Sequence, residues 1–219
     1  MQRNDVIQNI KQLGIIPVVR ATSPDEAIRA VEAIQAGGVS ILEITMTVPG
    51  AIKVIEEMAA RYGSHALVGA GTVLDEQMAQ TCISAGAQFI VSPALNLETI
   101  AACRRADVAV LPGALTPTEV VQAWNAGADF VKVFPAGAVG GPSYLRALKA
   151  PLPQIELVPT GGVSLKTAGD FIRAGASALG VGADLVDIKA LREGRSNVIT
   201  DRARQFVEIV QQARAKKEN

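Results

Sequence analysis

The sequence predicts an α/β fold, a single-domain (β/α)8 TIM barrel with an N-terminal capping helix, and three observations predict it. Short runs rich in β-branched residues alternate with longer amphipathic segments along all 219 residues. A repeated Ala-Gly punctuation stands between a helical pattern and the next strand at Ala36-Gly37-Gly38, Ala85-Gly86-Ala87, Ala126-Gly127-Ala128 and Ala174-Gly175-Ala176. Aromatics make up only 4% of a chain that is 49% apolar, so the core must be built from Val, Ile, Leu and Ala. That mix suits strands covered on both faces. Strict β-α alternation implies parallel strands joined by right-handed crossovers, and eight such units close into a barrel with no free edge.

The elements follow in order. Asn4 or Asp5 is expected to begin a helix that covers the barrel bottom. Strands are expected at Ile15–Val19, Val39–Thr45, Ala66–Gly69, Gln88–Val91, Val108–Leu111, Phe130–Phe134, Glu156–Pro159 and Ala178–Val181. Helical period runs through Pro24–Gln35, Ala51–Arg61, Asp75–Ser84 and Pro117–Asn125, and Val198 to Ala213 reads as the closing helix. Ser23-Pro24-Asp25-Glu26 and Thr116-Pro117-Thr118-Glu119 each offer an N-cap, a proline at the first helical position and a capping-box acid. No linker or charge block divides residues 1–219, which read as one domain. An open dinucleotide-binding sheet is excluded because Gly69-Ala70-Gly71-Thr72 is followed by no third glycine at the required spacing.

Composition narrows the function. The 21 basic and 21 acidic residues cancel, which argues against nucleic acid or an anionic membrane as partner. No apolar run approaches the ~20 residues that span a bilayer. The polar start Met-Gln-Arg-Asn-Asp-Val lacks the apolar stretch of a secretory signal, so a cytoplasmic protein is expected. Cys82 and Cys103 fall in apolar helical patterns and read as reduced structural thiols. His65 is the only histidine, which excludes a His-rich metal site and argues against a Ser-His-Asp triad; it reads as a loop residue.

In such a barrel, function collects at the C-terminal strand ends. Polar residues inside apolar strands are the informative ones there. Lys132 sits among Phe130, Val131, Val133 and Phe134, where desolvation lowers an amine's pKa and frees it to attack a ketone. Glu43, within Ile41-Leu42-Glu43-Ile44, poses the same problem with the opposite sign. An ion pair between the two is the alternative reading. Gly161, Gly162 and Gly182, at the ends of the seventh and eighth strands, fit a phosphate-binding turn or simple turns. Arg20 ends the first strand, beside Glu43's strand.

Taken together, these residues resemble the family of 2-keto-3-deoxy-6-phosphogluconate (KDPG) aldolase and 4-hydroxy-2-oxoglutarate (KHG) aldolase. The blocks that carry the resemblance are Gly38-Val39, Leu42-Glu43-Ile44-Thr45, Gly69-Ala70-Gly71-Thr72-Val73 and Phe89-Ile90-Val91-Ser92-Pro93. They continue with Leu111-Pro112-Gly113, Val131-Lys132-Val133-Phe134-Pro135 and Val158-Pro159-Thr160-Gly161-Gly162-Val163. The resemblance runs from about Ile10 to the last helix. It implies a class I lyase with Lys132 as Schiff-base lysine and Glu43 as acid-base group. It further implies Thr72 at the substrate carboxylate, Phe134 beside the imine, Thr160 in the pocket and Gly161-Gly162 at a phosphate. A small 2-keto acid substrate, no metal, no cofactor and a homotrimer are implied as well.

Two departures bear on the substrate. Many relatives carry arginine where this chain has Thr47, and Arg20 is placed to supply the missing guanidinium. Relatives commonly have serine where Ala183 stands, and Asp184 adds a carboxylate nearby, which would oppose a phosphate. A dephospho or epimeric sugar acid and 4-hydroxy-2-oxoglutarate are therefore alternatives to KDPG. A phosphate-binding isomerase or synthase that forms no imine, and a barrel with no catalytic role, are the competing function classes.

Overall fold

The computed structural model describes residues 1–63 and 65–216. Nine short strands pair in parallel: β1 Ile15–Val19, β2 Ile41–Thr45, β3 Leu67–Gly71, β4 Phe89–Val91, β5 Ala109–Leu111, β6 Gly113–Ala114, β7 Val131–Val133, β8 Leu157–Pro159 and β9 Leu179–Val181. Six of them form a sheet in the order β5-β4-β3-β2-β1-β9, and three a sheet in the order β6-β7-β8. β5 and β6 are one barrel strand interrupted at Pro112, whose carbonyl still accepts the Lys132 N–H at 2.9 Å. Bridges between Leu157 and Ala176 and between Thr160 and Gly180 join β8 to β9, closing the barrel. The expected TIM barrel is the fold.

Alternation along the strands separates two cores. Ile16, Ile41, Leu67, Phe89, Phe130 and Val158 point inward and pack together with Val6 and Ile10. Those last two belong to the first helix, α1 Arg3–Leu13, which plugs the lower end as the expected capping helix. It starts slightly before Asn4 and Asp5. Gln2 is its N-cap and Asp5 is the capping-box acid at the third helical position, so neither of the two expected residues begins it. The outward strand residues, among them Ile15, Val19, Leu42 and Ile44, meet the surrounding helices in a second core.

Those helices are α2 Pro24–Ala36, α3 Ala51–Tyr62, α4 Glu76–Ser84, α5 Leu97–Arg105, α6 Pro117–Asn125, α7 Pro142–Lys149, α8 Ala168–Arg173, α9 Ile188–Arg192 and the long closing α10 Asn197–Ala215. Thr116 and Glu119 form the expected capping box on α6. On α2 only half of it forms. Ser23 accepts from the Glu26 N–H, but the Glu26 carboxylate accepts from Thr22 N–H and Arg192 instead. The Ala-Gly stops behave as expected, with φ from +86° to +103° at Gly38, Gly86, Gly127 and Gly175. His65 is an exposed turn residue, and Cys82 and Cys103 are buried free thiols whose pKa values burial pushes up to about 11 and about 12. Among the described residues no helix is long and apolar enough to cross a membrane.

The strand ends differ from the sequence pattern in one informative place. β3 runs to Gly71 rather than stopping at Gly69, pairing Glu43 with Gly69 and Thr45 with Gly71. Glycine there is not a breaker. A Cβ at Gly71 would lie 2.0 Å from Glu43 Oε1, so the missing side chain makes room for the glutamate.

Candidate active site

Inward alternation carries two charges into the upper barrel. Glu43 stands two residues after inward Ile41 on β2, and Lys132 two residues after inward Phe130 on β7. In an eight-stranded barrel these two strands face one another. Both side chains are deeply buried, Glu43 at 2% and Lys132 at 4% exposure. Neither is absorbed by the expected alternative of a close ion pair: no Lys132–Glu43 contact falls within salt-bridge distance, and Glu43 Oε1 is buried with no hydrogen-bond partner.

The electrostatics follow from burial. Desolvation pushes the Glu43 carboxyl up from the usual carboxylate range, against the opposing pull of Lys132 and Arg20. Desolvation pulls the Lys132 amine down, Glu43 partly restores it, and Arg20 lowers it further. Arg20 therefore lies within electrostatic reach of both groups. The Lys132 ammonium nitrogen is 5.4 Å from the centre of the Phe134 ring, which covers it from the strand's own end. The arrangement suits a neutral amine nucleophile beside a proton-transfer group.

The other expected residues fall around this pair in two groups. Arg20, Phe134, Thr160, Gly161, Gly162 and Gly182 line one small chamber of about 130 Å³. Gly161 and Gly162 have φ of +82° and +80°, a turn that glycine adopts freely. Part of the glycine requirement there is packing, because a Cβ on Gly162 would lie 2.7 Å from the Gly137 Cα. Gly182 is different, since a Cβ there meets no protein atom within 4 Å. Thr72 stands apart from this chamber, just past β3, with φ +60°. A β-branched residue in the left-handed region is strained, as functional positions often are.

Thr47 is hydrogen-bonded within the protein. Its hydroxyl lies 2.7 Å from that of Thr45, which in turn donates to the Val19 carbonyl at 3.0 Å, immediately before Arg20. Ala183 and Asp184 do line the chamber, as the departures required. Sequence reasoning missed Lys166 and Lys189, which border a larger adjoining chamber of about 930 Å³ shared with Arg20 and Gly182. Their only sequence signal is position, in the segments after the last two barrel strands.

The chain is similar to known proteins over most of its length. The family model for KDPG and KHG aldolase matches residues 6–201. The chain is 37% identical over 175 residues, 80% of this chain and 85% of the relative, to the 2-dehydro-3-deoxy-6-phosphogalactonate aldolase of Escherichia coli K12. It is 35% identical over 195 residues to the KHG/KDPG aldolase of the same organism, covering 89% of this chain and 91% of that one. A crystal structure of Legionella pneumophila KDPG aldolase, with pyruvate captured as a covalent carbinolamine, superposes with a TM-score of 0.84 at 28% identity, covering 91% of this chain and 97% of that one. With two buried ionisable groups facing across the mouth of such a barrel, this chain belongs to the KDPG and KHG aldolase family and is a carbon–carbon lyase.

Proposed function

We propose that the chain cleaves 2-dehydro-3-deoxy-6-phosphogluconate to pyruvate and glyceraldehyde 3-phosphate through a Schiff base on Lys132. The observation that carries the proposal is the pair of buried, inward side chains, Lys132 and Glu43, with Glu43 Oε1 left without a partner. A buried carboxylate oxygen kept free is costly unless a substrate or water uses it.

The chemistry then follows. The neutral Lys132 amine adds to the C2 ketone, and the carbinolamine loses water to give an iminium. Glu43 accepts the C4 hydroxyl proton, directly or through a water. The C3–C4 bond breaks, its electrons pass to the iminium nitrogen, and the aldehyde leaves. The enamine takes a proton at C3, water hydrolyses the iminium, and pyruvate departs from a regenerated amine. In this reading Arg20 and Thr72 hold the pyruvyl carboxylate. Phe134 walls the imine, Thr160 lines the pocket, and Gly161, Gly162 and Gly182 form the floor for the substrate's far end. No metal or cofactor takes part.

A second reading has the same chemistry on the C4 epimer, 2-dehydro-3-deoxy-6-phosphogalactonate. It is favoured by the relative of that name at 37% identity. Dephospho sugar acids and 4-hydroxy-2-oxoglutarate are further substrates to set beside these. A pyruvate-release assay across the two phosphorylated epimers, their dephospho forms and 4-hydroxy-2-oxoglutarate separates the readings. The phosphogluconate epimer is expected to give the highest kcat/KM; a higher value for the other epimer shifts the assignment. From the family resemblance we also propose that residues 1–219 act as one domain, in the cytoplasm, as a homotrimer.

A further inference from the structure

Arg20 is held on both sides of its backbone and left free in its side chain. Before it, the Val19 carbonyl accepts from the buried Thr45 hydroxyl at 3.0 Å. After it, Thr22 is gripped twice. Its N–H and its hydroxyl donate to Glu26 Oε2 at 2.8 and 3.0 Å, and the same hydroxyl accepts from Arg192 Nη2 at 2.8 Å. The Arg20 guanidinium makes no salt bridge and donates no hydrogen bond among the described residues. It nevertheless lines the inner chamber, within electrostatic reach of Lys132 and Glu43.

The grip on Thr22 is more than a helix cap. A capping-box acid needs only the N-cap N–H, whereas Glu26 passes over Ser23 to the residue before it. Glu26 is buried, and its two oxygens also take bonds from Arg192, Nε to Oε1 and Nη2 to Oε2. Arg192 above all, with Thr22 behind it and burial opposing, holds the carboxyl at about 2, so the pair is charged at neutral pH. Arg192 is anchored in turn, because α9 buries Ala190 and Leu191 and is capped by Asp187, which accepts the Ala190 N–H and pairs with Arg202 of α10 at 3.2 Å. A line of contacts therefore runs from α10 through α9 and Glu26 to the residue two places after Arg20. Glu26, Arg192 and Thr22 line neither chamber. An ion pair with one buried partner is a weak source of net stability, and a fixed loop geometry is the better account of it.

We infer that Glu26, Arg192 and Thr22 are positioning residues for Arg20, a clamp that sets its guanidinium where the carboxylate of a 2-keto acid bound at Lys132 will lie. The inference rests on the aldolase reading, in which Arg20 holds the pyruvyl carboxylate, and names what holds Arg20.

The test compares cyanoborohydride trapping on Lys132, read by mass, for pyruvate and for its uncharged methyl ester. Misplacing a binding group by about 1 Å costs up to ~10²-fold, so R192A and T22V should lower the pyruvate-to-ester ratio of trapping efficiencies by ~10–100-fold. Ester trapping should stay at the wild-type rate in both, and T22S, which keeps the hydroxyl, should retain the wild-type ratio. R20A should lower the ratio at least as far. Adding R192A to R20A should lower it no further, because the clamp then has nothing to place. A merely structural role would slow pyruvate and ester together, and that result overturns the clamp. So does a wild-type ratio in T22V, the milder variant, or an additive loss in the double variant. An adduct in the wild type with any of these results sinks only the clamp, whereas no adduct from either ketone sinks the aldolase reading and the clamp with it.

Discussion

At the lower end of the barrel Asp129 accepts two bonds from Arg3 and one from the Val110 N–H at 2.9 Å, whereas at the upper end Glu43 Oε1 accepts none. Lys11 and Glu156 repeat the lower pattern, paired at 2.6 Å, with Ser177 donating to the second Glu156 oxygen. Lys132, also deeply buried at the upper end, lies against the Phe134 ring and makes no salt bridge. The same strands supply both ends: Asp129 directly precedes Phe130, and Lys132 follows it by two residues. Charge at the bottom is matched and ties α1 to the strands. Charge at the top is buried without its match, a condition that costs stability and is kept where chemistry uses it.

The comparison can be broken by substitution, and the largest expected effect is on activity. Lys132→Ala should lower cleavage by ~10⁴-fold or more, because the amine that forms the imine is lost. Glu43→Gln should cost ~10²–10⁴-fold in kcat through lost proton transfer. Both variants should melt at or above the wild-type temperature by calorimetry, because each removes an unmatched buried charge. A sharp loss of stability would contradict the reading of the upper end.

Arg3→Ala should do the reverse. It leaves Asp129 buried without its main partner, and the expected cost is about 3 kcal/mol in denaturant unfolding, with kcat unchanged. A fall in kcat at full occupancy of the folded state would show that the two ends are not separable. Gly71→Ala is expected to affect both properties. Its Cβ overlaps Glu43 Oε1, so a loss of ~1–3 kcal/mol should accompany a reduced kcat.

The smallest effect sharpens the electrostatics. Imine formation needs the neutral amine, and burial pulls the Lys132 pKa down. The rate of pyruvate-dependent trapping should therefore rise with pH and reach half its plateau below the ~10.4 of an exposed lysine. Glu43 favours the charged amine, so Glu43→Gln should move that midpoint lower still. An unmoved midpoint would mean the carboxyl is neutral when the amine reacts.

Much of this was legible before any coordinates. Lys132 and Glu43 stood out because an ionisable residue in an apolar strand is costly, and the period of two fixes which face each takes. Gly161 and Gly162 stood out through position at the strand ends. What stayed hidden depends on contacts between distant segments. β3 continues through Gly71 because Glu43, 28 positions earlier in the chain, needs the space, and no local pattern records that. Glu26 read as a capping-box acid, but Arg192 on α9 and the loop residue Thr22 claim its carboxylate and hold its pKa down at about 2. Lys166 and Lys189 lie in ordinary polar segments, and only closure of the barrel puts them on one chamber wall with Arg20.

The central claim is that Lys132 is a nucleophile, and the direct measurement is borohydride reduction in the presence of pyruvate followed by peptide mass analysis. The account predicts one reduced pyruvyl adduct, on Lys132, formed in wild type and in Arg3→Ala alike and absent from Lys132→Ala. An adduct on another lysine, or none in the wild type, would contradict it.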